Sequence, residues 1–204
     1  MPPEQTIVII ILGLTFFSCK AQTPILPLDS LGWKNTNNTY YKDVNNELND
    51  YEGTWLYSNG TTSLKITLTK YTQLFNGRFY EDRIIGGYQY IENGVEKVNT
   101  LSDANNPNLG ISASIVGNTI HNRCRFLPVD DCVEGEKSLG LSIDDPHSDK
   151  HWGHLRLFKR IVNGQEALKI RISMTYVTGE DPEDGNFPPP SIPWKMENIV
   201  LLKQ

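Results

Sequence analysis

"GTWLYSNGTTSLKITLTKYTQLFNGRFYEDRIIGGYQYIENGVEKVNT" runs from Gly53 to Thr100 and sets the architecture of the chain. Leu64, Ile66 and Leu68 alternate with Lys65, Thr67 and Thr69, a period of two that gives a strand one apolar and one wet face. Asn59-Gly60, Asn76-Gly77 and Asn93-Gly94 punctuate the stretch every 17 residues. Asn-Gly is a strong hairpin signal because both residues tolerate the positive φ of a tight turn. The spacing predicts a meander with strands over 53–58, 61–75, 78–92 and 95–101. The two middle strands exceed the usual length, so bends or bulges are expected near Tyr71 and at Gly86-Gly87.

The same pattern continues downstream. A fourth Asn-Gly pair, Asn163-Gly164, precedes "ALKIRISMTY", where Leu168, Ile170, Ile172, Met174 and Tyr176 alternate with Lys169, Arg171, Ser173 and Thr175. "GISASIV" and "SLGLSI" alternate with small partners. Strands near 111–116, 119–126, 138–143, 154–162, 167–177 and 194–202 bring the total to about ten. One wet face per strand marks antiparallel sheet. Sequential long strands best protect their edges by closing, so the reading is an all-β barrel of about 8–10 strands, with a β-sandwich as the alternative. Before the strands, "YYKDVNNELNDYEG" places Tyr41, Val44, Leu48 and Tyr51 on one stripe, which predicts a short helix ended by Gly53 and laid across one end of the barrel.

The N-terminus addresses the compartment. Ile7–Phe17 is an apolar run of 11 residues, short for a bilayer span of roughly 20 and suited to a signal-peptide core. "MPPEQ" departs from the usual positive start, carrying Glu4 and neither Lys nor Arg. "FFSC" resembles the bacterial lipobox: Ser18 fits, Phe16 and Phe17 do not. Two cuts stay open, one before an acylated Cys19 and one after Ala21 that discards it; retention as a buried strand is the third possibility. The preferred division is an export signal over 1–18, a lipid-anchored tether over 19–40 and one barrel domain over 41–204. Pro24, Pro27 and "NTNNT" give the tether its stiff and polar parts, with Trp33 free to dock on the domain. Either cut leaves Cys124 and Cys132, eight positions apart, to pair in an oxidising compartment. The competing reading as metal thiolates lacks Cys-x-x-Cys spacing. Net charge is −5 over 204 residues, which offers neither the footprint for nucleic acid nor a polybasic membrane patch.

"ELNDYEGTWLYSNGTTSLKITL" resembles the opening of lipocalin-like barrels, with Gly53-x-Trp55 on the first strand and the Trp at the closed end. "GTWLYSNGTTSLKITLTK", "DRIIGGYQYIENGVEKVNTL" and "FFSCKAQ" are similar to an uncharacterised family of Bacteroidota envelope lipoproteins, over roughly residues 15–120. The first resemblance implies a late-strand Arg over Trp55, a place Arg171 could fill. The second implies a lipidated envelope protein of unknown activity. "CKAQTPILP" lacks the acidic surface-export run of that phylum, which implies a periplasmic face.

Reactive side chains concentrate in "DDPHSDKHWGH", where His147, His151 and His154 stand among Asp144, Asp145 and Asp149. Three imidazoles suit zinc or copper; the alternative is a solvated connection. Gly-x-Ser-x-Gly is absent, and Cys124 near His121 is better read as oxidised than as a nucleophile. Asp130, Asp131, Glu134 and Glu136, and again Asp181, Glu183 and Asp184, read as solvated loops. "FPPPSIP" stiffens the entry to the last strand. Neither a catalytic residue nor a cofactor is assigned. Trp55 with Tyr57, and Tyr88 with Tyr90, share strand faces that either line a ligand cavity or fill a packed core. The functional expectation is a lipid-anchored binding module for a small apolar ligand or an envelope partner. The alternatives are an envelope protein with a packed barrel and a metal protein using the histidine loop.

Overall fold

The computed structural model describes residues 23–31, 36–177 and 188–204. The expected export signal, Cys19, Trp33 and the acids Asp181, Glu183 and Asp184 lie outside them. Eleven strands are present among the described residues: β1 (Ile25–Pro27), β2 (Tyr40–Lys42), β3 (Gly53–Asn59), β4 (Thr62–Phe75), β5 (Tyr80–Glu92), β6 (Val95–Asn99), β7 (Ile115–His121), β8 (Ser138–Asp144), β9 (His151–Val162), β10 (Gln165–Tyr176) and β11 (Lys195–Lys203).

Eight of them close into an antiparallel barrel in the order β3-β4-β5-β7-β8-β9-β10-β11. β11 returns to β3 through Leu202↔Leu56 and Lys203↔Trp55. Closure removes the free edges that a sandwich would keep. Along its other side β5 is shared by three strands. Tyr40 of β2 faces Tyr80, Ile115 of β7 faces Gly86, and Val98 of β6 faces Tyr90. β1 extends β2 in parallel, so part of the segment read as tether is sheet.

The Asn-Gly turns sit where their spacing put them, with Asn93 and Gly94 at φ 52 and 79 and Asn163 and Gly164 at φ 52 and 81. The bend near Tyr71 is a register shift between Tyr71 and Leu74, with Gln73 at φ 54. Gly86 and Gly87 serve close approach. A Cβ on Gly86 would lie 2.7 Å from the Thr67 carbonyl, and one on Gly87 1.8 Å from the Thr100 carbonyl.

Two local readings change. The expected α-helix over 41–51 is the strand β2 followed by a 3-10 turn, Glu47–Tyr51. Asn46 takes φ 55 just before that turn, which breaks a continuous helix, and Val44 faces solvent. Asp43 holds the turn by accepting from the Glu47 and Leu48 amides at 2.9 and 3.0 Å. The two strands expected over 111–116 and 119–126 are the single β7. Ahead of it lies a 3-10 segment, Pro107–Ser112, kinked at Gly110.

One cluster of buried side chains fills the barrel and draws on all eight strands. It includes Trp55, Ile66, Tyr88, Ile115, Leu139, Leu157, Ile170 and Leu201, with Leu48 and Tyr51 of the 3-10 turn closing one end. Each buried aliphatic side chain stabilises the fold by about 1.5–3 kcal/mol before its entropy cost.

Candidate functional site

The aromatic quartet belongs to the packing. Trp55, Tyr88 and Tyr90 are buried in the core cluster and Tyr57 packs against it. The three buried members are satisfied locally: Trp55 Nε1 donates to the Tyr51 carbonyl at 3.0 Å, the Tyr88 hydroxyl to the Asp144 carbonyl at 3.0 Å and the Tyr90 hydroxyl to Glu92 at 3.3 Å. Burial pushes the Tyr88 phenol well above its usual range. The cation over Trp55 is Lys203, its Nζ 5.3 Å from the ring centroid, and not Arg171. Arg171 instead donates to the Pro128 carbonyl at 2.8 Å and to Glu197 at 2.5 Å, on the outside of the barrel.

Cys124 and Cys132 are joined, with Cα atoms 5.9 Å apart. Their loop, residues 122–137, is clamped onto the outer faces of β9 and β10. Arg160 holds Asp131 and Glu136, and Lys169 holds Asp130 and Asp131. The centre of the clamp is Arg156, which is buried and pairs with no carboxylate among the described residues. Its guanidinium donates to the Ser138 hydroxyl at 2.8 Å and to the carbonyls of Arg123, Arg125 and Phe126 at 3.0, 2.9 and 2.7 Å. Three carbonyls converge because Phe126 and Leu127 take φ 49 and 53, a left-handed pair that side chains ordinarily avoid.

The three histidines have separate partners. His147 Nδ1 meets the Ser191 hydroxyl at 2.9 Å, beside the buried Asp145. His151 Nε2 meets the Pro188 carbonyl at 2.9 Å, between the rings of Tyr176 and Trp194. His154 lies on the outer face of β9, its ring 4.8 Å from Phe126 and 5.1 Å from Trp152. Among the described residues no group of three or more His, Cys, Asp or Glu side chains converges as a metal site. Ser191 donates to Asp145 at 2.8 Å, so its proton points to the acid and not to an imidazole base.

The outer surface of β7, β8 and β9 carries a groove. One stretch, of about 290 Å³, is lined by Gly117, His121, Phe126, Gly140 and His154. A second, of about 270 Å³, is lined by Arg83, Ile111, Asp144 and Trp152. Both include Val116, Gly117 and Ser142, so they are continuous. Small residues make the floor: a Cβ on Gly140 would lie 2.6 Å from His121 Nε2. Aromatic rings make a wall, with Phe126 60% and Trp152 38% exposed. Burial first, and the Arg156 charge second, hold His121 below its usual pKa, while burial raises that of Asp144. A larger cavity, of about 360 Å³, lies under the N-terminal segment, where Asp43 is already engaged by Lys70 and Glu47 by Lys137.

No sequence motif groups Trp152, Phe126, Arg83 and Asp144. Alternation carries part of the signal: with Leu155 and Leu157 inward, Trp152 and His154 must face out together. No curated protein and no solved structure matches the chain. The model of a family of unknown function, DUF6705, matches residues 4–204, and the chain belongs to that family.

Proposed function

We propose that this barrel is exported, carried on an acylated Cys19 at the periplasmic side of a bacterial envelope, and works there as a non-catalytic binding module through its outer groove. The observation that carries the reading is the contrast in exposed aromatic surface. Trp55, Tyr88 and Tyr90 are packed away inside, whereas Phe126 and Trp152 stay open along the β7–β9 groove. Exposed aromatic walls around a small-residue floor are the composition of a binding surface. The address is supported by the apolar leader, the Ser18-Cys19 pair and the Cys124–Cys132 disulfide, a bond that persists outside the cytosol.

Hydrogen exchange of the purified barrel, with and without solubilised envelope from its own cells, tests the binding surface. The expected outcome is added protection at 116–121, 139–142 and 152–156. Protection elsewhere, or none, overturns it. Intact mass of protein from native membranes tests the address: a lipid-modified chain beginning at Cys19 is expected, and an uncut Met1 species with three free thiols defeats it.

A further inference from the structure

Around Trp152 two charged groups keep hydrogen-bonding capacity that the fold does not use. The Nε of Arg83 is buried and has no hydrogen-bond partner among the described residues, although Nη2 of the same guanidinium holds Glu81. The Asp144 carboxylate accepts no hydrogen bond from the described residues. Arg83, Asp144 and Trp152 line the same stretch of groove, over the Gly117 and Ser142 floor.

We propose that this stretch binds a neutral saccharide, one pyranose ring lying on the Trp152 indole and its hydroxyl groups reaching Arg83 and Asp144. This rests on the outer-groove reading above and adds the ligand class. A pyranose has an apolar C–H face and a rim of hydroxyls that both donate and accept. The groove offers the complement: a flat indole 38% exposed, an arginine whose guanidinium the fold engages only in part, and a carboxylate acceptor lacking its donor. The two charges oppose each other, so a phosphate would meet Asp144 and a cation would meet Arg83. A peptide strand is disfavoured because the closed barrel presents no edge on this face for backbone pairing. The continuous second stretch, walled by Phe126 and His154, gives room for a short chain of sugar residues beyond the first ring.

The test is an NMR titration of the full mature chain with neutral gluco-, manno-, xylo- and chito-oligosaccharides. At least one is expected to shift the amides of Ser142 and Trp152. W152A is expected to weaken that binding roughly tenfold, the loss of one stacked ring, and W152F by less because a flat ring remains. D144N, which removes the charge but keeps the shape of the side chain, is expected to weaken it as well. Silence from the whole panel at millimolar concentration overturns the proposal, as do shifts confined to the barrel ends or W152A binding unchanged. If envelope material still protects the groove from exchange while every oligosaccharide fails, the saccharide class is wrong and the binding surface stands.

Discussion

β9 presents two faces that reach the same burial by different means. Inward, Leu155 and Leu157 join a core shared by all eight barrel strands. Outward, Arg156 and Phe158 are just as buried, although alternation assigns that face to solvent. The disulfide loop sets three carbonyls on Arg156, and the guanidinium carbons of Arg156 and Arg160 lie 5.3 and 5.9 Å from the Phe158 ring. The inner face is held by area, which any correctly patterned apolar residue supplies. The outer face is held by a short covalent loop, one buried cation and a ring of ion pairs. The first is tolerant and extended; the second is local and specific. The open end of the same outer face, at Trp152 and His154, is where the groove begins.

Three perturbations separate the faces, the two core-sized truncations first and the disulfide after them. L157A should lose about 2–5 kcal/mol of stability in urea, equally in oxidised and reduced protein, because only the core notices. F158A should lose about 3–5 kcal/mol while the disulfide is intact and measurably less once it is reduced. An equal loss in both states would show that the loop is not what buries Phe158. The double variant C124S/C132S should lose about 2.5 kcal/mol by the chain-entropy estimate for so short a loop. Its amide exchange should speed up at 123–127 and stay slow in β4 and β10. Slow exchange throughout would mean that the three loop carbonyls on Arg156, with the ion pairs of Arg160 and Lys169, hold the loop without the disulfide.

The smallest effect is electrostatic. Hydrogen bonding to Arg160, then to Lys169, lowers the Asp131 pKa to about 2, against a usual value of 3.8. A depressed folded-state pKa stabilises the fold above the unfolded value and stops doing so as pH falls through the folded one. D131N should therefore cost stability at neutral pH and cease to do so as pH drops from about 4 towards 2. Asp131 is half exposed, so solvent screening keeps the cost within about 1 kcal/mol. A wild-type-to-variant difference that is flat with pH would remove this pair from the clamp.

What could be read in advance follows from how far each signal reaches along the chain. Asn-Gly turns and period-two alternation act over a few residues, and they located nearly every barrel strand and the bulge after Tyr71. The stripe Tyr41, Val44, Leu48 and Tyr51 misled because a strand followed by a 3-10 turn buries three of its four members as a helix would have done. Asn46 in the left-handed region, fixed by Asp43 and its contacts to Lys70 and Asp82, decided against the helix. The cation over Trp55 was sought on the strand of Arg171, whereas the β3–β11 register places Lys203 opposite Trp55. The three histidines, for which a metal site was only the alternative to a solvated connection, stand in three separate environments, and the neighbouring Trp152 gained importance.

By itself the sequence determined the all-β class, the run of antiparallel strands and the cysteine pair, because those depend on periodicity, turn chemistry and spacing between near neighbours, whereas closure rather than a sandwich needed the β11–β3 pairing. Only the tertiary structure decided that the interior is filled by its aromatics, that Arg156 carries the outer loop, and that Arg83, Asp144 and Trp152 share one groove. Those three come from β5, β8 and β9, and nothing short of barrel closure brings them together.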